Sequence, residues 1–316
     1  MRIESLLKAQ KLTFKWFNWS LLNIKIMKMN KLFTAALGIC FLVAGTVQSQ
    51  SLSGDSWASA KQKKSANIVV TYTYAPKFAD VVDGQRSGLC FDIMKDFVSY
   101  VKTKYGVTLN IDYKTLNDAK DFDLFLNVVK ASKGGVFGLG DITITEARKK
   151  EYNFSDTYFS NMAILATNNS VPTLSSVQNI GKEFAGKRAI IQNGTTHEDR
   201  MKEFKTKYYP SLVIETTKGY TESNKKVIAD ANYFTYIDFS TYLDVVSNRI
   251  PLKRHEAGDQ KGEDFGFIMP KSSDWAPVFN EFLRADGGYT KSVQYRKLLA
   301  DNLGGHVLKL MNAITK

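Results

Sequence analysis

Two strand–helix–strand series of similar size follow one another along this chain, and that order constrains the fold more than any single motif does. Ile68-Val69-Val70-Thr71-Tyr72 is a β-branched run of strand type. The segment Asp92–Lys104 sets Ile93, Met94, Phe97, Val98 and Val101 at helical spacing, with Asp92 placed to cap the helix. Val107–Tyr113 alternates as a strand does. Asp121–Ser132 repeats Phe122, Phe125, Leu126 and Val129 at helical spacing, and Val136–Leu139 predicts a buried strand. Ser160–Thr167 is extended, and a small polar stretch (Asn168 to Thr173) follows it. The pattern then restarts, with strands over Arg188–Ile191, Leu212–Thr216 and Tyr233–Ile237 and helices over His197–Lys207, Glu222–Ala231 and Ser240–Val246. The charged segment Lys253–Asp264 reads as a loop and Phe265–Met269 as a strand. Three helical segments close the chain: Ser273–Arg284, Thr290–Asn302 and His306–Ile314. Such alternation calls for parallel or mixed sheets covered by helices on both faces. The expectation is an α/β protein of two lobes; periodicity leaves open whether the C-terminal segment returns to the first.

A chain of 316 residues exceeds one small core, which agrees with two modest lobes. The net charge of +12 suggests an anionic partner, but residues 1–49 carry seven Lys/Arg and one acid, leaving +6 for the rest. The remaining charges are scattered and form no arginine stripe interleaved with aromatics, so nucleic acid is not expected as a partner. The excess at the N-terminus reads as an export signal. Lys28 and Lys31 form a short basic region, Leu32–Val47 is mostly apolar, and Val47-Gln48-Ser49 has the small-x-small character of a cleavage site. Residues 27–49 are thus expected as a signal peptide, 1–26 as an upstream extension, and 50–65, rich in Ser, Lys and Gln, as a flexible mature N-terminus. Cys40 lies inside the apolar run, which continues past it, and Ile39 is large for the residue before a lipid-carrying cysteine. The product is expected to be periplasmic and unlipidated. Cys90, among apolar neighbours, reads as a buried small hydrophobe. His197, His255 and His306 show no metal-ligand spacing, and neither metal nor cofactor is expected.

Three separated loops share one chemical theme. In Thr143-Ile144-Thr145-Glu146-Ala147-Arg148, backbone N–H groups, two hydroxyls and a guanidinium converge, a set suited to both oxygens of a carboxylate. Gly194-Thr195-Thr196 stands where a strand feeds a helix, whose free N–H groups attract an anion. Asp238 ends a strand, where open α/β sheets place their ligands, and an acid there can accept from an ammonium. Together Arg148 and Thr196 would hold a carboxylate and Asp238 an α-amino group. Singly, each has an ordinary reading: a solvated charge run, a turn with its cap, a strand-end cap.

The order of these pieces resembles the periplasmic solute-binding proteins of ABC transporters, specifically the polar amino-acid cluster (bacterial extracellular solute-binding family 3). The likeness covers roughly 66–305 and is carried by Tyr74-Ala75-Pro76, Gly88-Leu89-Cys90-Phe91-Asp92, Asp141 to Arg148, Phe154-Ser155-Asp156, Gln192 to Thr196, Tyr236-Ile237-Asp238 and Asp286-Gly287-Gly288-Tyr289. It implies a two-lobed type II fold, each lobe a mixed sheet flanked by helices, with two crossover strands at the hinge. Lobe one would comprise 66–162 and 266–316, and lobe two 163–265. It also implies a monomer that delivers a small-molecule ligand, an amino acid or carboxylate, to a membrane permease. Arg148 and Thr196 would take the α-carboxylate, Thr143 would assist, Asp238 would take the amine, and Tyr74 and Phe122 would wall the pocket.

Two departures bear on the ligand. Members that bind basic amino acids usually carry an acid three residues before the cleft tyrosine, and here Thr71 stands there, which disfavours lysine and arginine. Asp141 occupies a place where a small hydroxyl residue is common; it could weaken the grip of Arg148 or itself bind an amine. Relatives that dehydrate prephenate-like cyclic acids make an enzyme the alternative, with Asp141 or Glu146 as its acid or base. Sensing for a membrane receptor would use the same clamp. No Ser/His/Asp or Cys/His set is evident, so a non-enzyme is expected.

Overall fold

The computed structural model describes residues 51–305, so the expectations for the signal peptide, Cys40 and the helix at 306–314 lie outside the described residues. Helix α1 (Trp57–Lys63) leads into strand β1 (Ser65–Tyr72), the hairpin β2 (Asp80–Val82) and β3 (Gln85–Ser87), and helix α2 (Leu89–Tyr105). Next come β4 (Thr108–Lys114), α3 (Phe122–Ala131), β5 (Val136–Leu139), the short α4 (Glu146–Glu151), β6 (Tyr152–Phe154) and the long β7 (Phe159–Asn168). The second series runs α5 (Ile180–Glu183), β8 (Arg188–Gln192), α6 (Thr196–Lys207), β9 (Ile214–Thr217), α7 (Tyr220–Ala229), β10 (Tyr233–Asp238) and α8 (Phe239–Ser247). The chain continues with β11 (Leu252–Arg254), β12 (Gln260–Phe265), β13 (Ile268–Pro270), α9 (Ala276–Arg284) and α10 (Val293–Leu303).

These elements build two mixed sheets, in agreement with the α/β expectation. The first has the order β4-β1-β5-β13-β6 and the second β11-β7-β10-β8-β9. Strand β1 lies parallel to both β4 and β5, and its β-branched run is buried on both faces, as a central parallel strand requires. In the second sheet β10, β8 and β9 are parallel and β7 is antiparallel to β10.

The chain passes from the first sheet to the second along β7 and returns along β12. Residues 159–163 of β7 pair with β12, and residues 163–168 pair with β10 and β11 within the second sheet. A two-stranded antiparallel ribbon therefore connects the sheets. Helices α9 and α10 then pack on α2 beside the first sheet. The largest core joins Phe97, Phe137, Trp275 and Phe279 around α2 and β5. A separate core around Phe184, Phe204, Phe234 and Tyr236 fills the second half.

Local chemistry accounts for the helix ends. Asp121 accepts from Leu124 N at 2.9 Å and caps α3, and Thr195 accepts from Glu198 N at 3.3 Å and caps α6. Helix α2 closes on Gly106 at φ 66°, whose N–H bonds to Lys102 O. Three expectations are corrected. The segment taken as a flexible N-terminus contains α1, because Trp57 is buried and Asp274 accepts from Trp57 N and Ala58 N at 2.8 and 3.0 Å. Helix α2 starts at Leu89, one turn before Asp92, because Leu89 N and Cys90 N bond to Lys77 O and Phe78 O. The charged segment read as a loop holds β11 and β12, and the strand expected at 265–269 is broken at Gly266, where β12 ends and β13 has not begun.

Candidate functional site

The first loop is shaped from below. Gly140 leaves β5 at φ 151°, and a Cβ on it would lie 2.5 Å from Thr73 Cγ2. Its carbonyl is fixed by the Tyr158 hydroxyl, which donates at 2.7 Å. Cys90, fully buried as expected, donates to the same hydroxyl at 3.3 Å, and burial pushes its thiol far above the usual range, so it is no nucleophile. Residues 142–144 are then stitched to the end of β12 by Ile144 N to Asp264 O (2.8 Å) and Gly266 N to Ile142 O (3.0 Å). Thr145 caps α4 by accepting from Arg148 N at 3.1 Å.

Arg148 bends back over this loop. Its Nη1 donates to Thr143 O at 2.9 Å and its Nη2 to Gly194 O at 3.1 Å, so the first and second predicted loops meet through the guanidinium. The guanidinium also lies 5.2 Å from the centre of the Phe122 ring, which is 6% exposed. Two of five N–H donors are thereby engaged. Glu146, by contrast, points to solvent and pairs with Lys149. Tyr74 stands at the loop after β1, its N–H on Ala119 O and Lys120 Nζ 5.5 Å from its ring. Phe122 alone of the predicted residues lines a cavity of 520 Å³, which it shares with Asp123, Asn193 and Thr217.

The third loop brings partners that sequence reasoning missed. Asp238 is 5% exposed, and its Oδ1 accepts from Asn161 Nδ2 at 2.6 Å. The same amide donates to Glu263 Oε2 at 3.0 Å. Glu263 Oε1 in turn accepts from the Thr196 hydroxyl at 3.3 Å and from Arg200 Nη2. His197 faces both acids, its Nε2 3.6 Å from Asp238 Oδ1 and 3.7 Å from Glu263 Oε2. Thr196 is therefore tied to an acid of its own chain. The sequence marked Asp238 and Thr196, but Asn161 sits inside an apolar strand and Glu263 inside a charged run, and neither position carries a local motif.

Burial and mutual repulsion set the charges here. Burial raises Asp238 to about 7; His197 pulls it down, while Asp141 and Glu263 push it up. Asp141 is raised by burial to about 6, against the lowering pull of its own backbone N–H, Asp238 and Arg148. Burial pushes Glu263 up as well, yet His197 and Arg200 outweigh it and hold this acid at about 2. The Tyr220 hydroxyl lies in the field of Asp141, Asp238, Glu263 and Arg148 together. His197, Asp238 and Glu263 offer atoms within 4.8 Å of one another, a spacing a cation could use. Asn161 and Arg200 already donate to these acids, while His197 Nδ1 and Arg200 Nη1 are buried without a partner among the described residues.

No family model matches the sequence, and no curated protein matches it. Solved structures match in shape. The arginine-, lysine-, histidine-binding protein ArtJ from Geobacillus stearothermophilus superimposes with TM-score 0.60 at 19% identity, over 75% of this chain and 95% of that one. An ancestral arginine-binding protein bound to glutamine gives 0.58 at 20% identity, covering 75% and 98%. An ancestral amino-acid-binding protein described as a precursor of cyclohexadienyl dehydratase gives 0.60 at 18% identity, covering 78% and 98%. These likenesses establish the fold, the two-lobed architecture of the periplasmic binding proteins.

Proposed function

We propose that this chain is an extracytoplasmic solute-binding protein, exported by the signal at 27–49. It holds a small amino acid or related carboxylate between its lobes and delivers it to the permease of an ABC transporter. The lobes are taken as 66–162 with 266–316 and 163–265. The observation that carries the reading is that the Arg148 guanidinium donates to Gly194 O, two residues before Thr196, while Thr196, Glu263, Asn161 and Asp238 form one hydrogen-bonded series. A guanidinium and a carboxylate brought to the ends of one such series complement a zwitterion. Arg148 keeps three N–H donors for a ligand carboxylate, with Thr143 beside it and the Thr196 turn opposite; Asp238, with Asp141 near it, takes the ammonium. Tyr74 and Phe122 wall the side-chain pocket. Thr71, fully buried in β1, offers no counter-charge to a basic side chain, so lysine and arginine are disfavoured as ligands.

A thermal-shift screen of the twenty common amino acids, with the protein beginning at Gln50, tests the reading. One selective ligand should raise the melting temperature by mass action. Arg148→Ala should then weaken that ligand by at least tenfold, because a charge-assisted contact of roughly 1.5–3 kcal/mol is lost. Unchanged affinity by calorimetry would overturn the clamp. A second reading rests on Asp141 and Asp238, whose raised carboxyls could hold a proton near neutral pH and act as general acids. Turnover of prephenate or arogenate would favour a dehydratase instead.

A further inference from the structure

We infer that Asn161 and Glu263 are positioning residues, one on each strand that crosses between the sheets, and that their pairing sets the geometry of both ends of the ligand clamp. The inference rests on the reading of Asp238 and Thr196 as ligand contacts.

Asn161 lies directly opposite Glu263 in the β7–β12 ribbon, and the register shifts between Lys261 and Glu263. Such a bulge re-aims the side chain that follows it. The two side chains are 4% and 3% exposed and extend into the second half of the molecule. Asn161 is fixed at both ends. Its Oδ1 accepts from Phe239 N at 3.1 Å, the first N–H of α8, which obliges its Nδ2 to face the acids. The amide thereby holds Oδ1 of Asp238 and leaves Oδ2 without a donor among the described residues. Glu263 performs the matching task for α6. Its Oε1 receives the Thr196 hydroxyl and Arg200, which are one helical turn apart on one face, and so holds the first turn of the helix in place. The groups that read out the two ends of a zwitterion are therefore anchored to a single cross-strand pair, in the ribbon on which the two halves would turn.

The experiment combines a ligand-free and a ligand-bound measurement on the mature chain. Carbon-13 carboxyl NMR of the ligand-free protein should show the Asp238 midpoint rising by about one unit in Asn161→Ala, because a donor to the charged form is lost. Asn161→Asp keeps the size and the Phe239 contact but not the donors, and it should raise the midpoint at least as much. An unmoved Asp238 midpoint in both variants overturns the role of Asn161. Calorimetry with the common amino acids and their des-amino analogues forms the second arm. Asn161→Ala should weaken amino acids at least tenfold and the des-amino acids less than twofold, whereas Glu263→Gln should weaken both classes. Equal losses in Asn161→Ala, or no loss in Glu263→Gln, overturn the assignment. If no amino acid binds the unmodified protein, the proposed function fails, and the titration still decides the positioning of Asp238.

Discussion

Burial lifts the carboxyls of Asp141 and Asp238, and Asp141 adds to the rise at Asp238, with a measurable consequence. Both carboxyls titrate higher in the folded protein than in the unfolded chain, so the folded state binds the extra protons. Their contribution is fully present below the unfolded carboxylate value and is lost as pH rises through about 6 to 7. Asp141→Asn should flatten this loss, measured by thermal unfolding between pH 4 and 7.5; an unchanged slope would contradict the raised Asp141 carboxyl. Glu263 acts in the opposite sense, its contribution present above the ordinary glutamate value and lost as pH falls toward 2. His255 also favours neutral pH. Its Nδ1 accepts from Leu174 N at 2.9 Å, its Nε2 meets the Thr167 hydroxyl at 2.7 Å, and burial lowers it to about 4. Being fully buried and neutral, it opposes folding once the unfolded chain is protonated, from about pH 6.5 downward.

The turn between β8 and α6 shows what one element demands of its residues. Gly194 has φ 72°, and a Cβ there would meet Asp123 Oδ1 at 2.0 Å. Asp123 also accepts from the Asn193 amide, and Gly194 O receives Arg148, so this turn is one of the places where the halves touch. Gly194→Ala is expected to cost about 1 kcal/mol or more of stability and to weaken the ligand found in the screen, because strain and the Asp123 clash both act on the turn. Denaturant unfolding and calorimetry on the one variant check this, and wild-type values in both would show that the halves do not meet here. The starts of α3 and α6 were legible from sequence to within a residue because Asp121 and Thr195 bond within their own first turns. The start of α2 was not, because remote carbonyls at Lys77 and Phe78 extend the helix past its local signal at Asp92. Strand β12 was hidden for a similar reason: the polarity of Gln260–Asp264 suits a loop, and only pairing with β7 makes it a strand.

At the scale of the molecule, the ends of the described chain are joined through Trp275. This side chain is fully buried, donates from Nε1 to Asp55 O at 2.8 Å, and packs on Trp57, Phe97 and Phe137. Trp275→Ala should cost roughly 3–5 kcal/mol in chemical denaturation, and a loss below about 1 kcal/mol would place the indole outside the core. Polar contacts join the halves, Lys77 with Asp244 at 2.7 Å, Lys218 with Asp118 and Asp121, and Gln192 Nε2 with Lys120 O at 3.3 Å, beside an apolar core that runs from Phe78 through Phe265 to Phe239. Polar, partly exposed contacts of this kind are individually weak.

Local pattern already carried the alternation of strands and helices, the two-lobed α/β class and the three loops that hold Arg148, Thr196 and Asp238. Each of these is written in periodicity, glycines and capping residues within a few positions of one another. Folding alone set α1, α9 and α10 beside the first sheet and brought Asp141 near enough to raise the Asp238 carboxyl. It also paired Asn161 with Glu263 beside Asp238 and Thr196. Those relations depend on strands that pair across a hundred residues, and hydrogen bonds at that distance leave no local pattern in the chain.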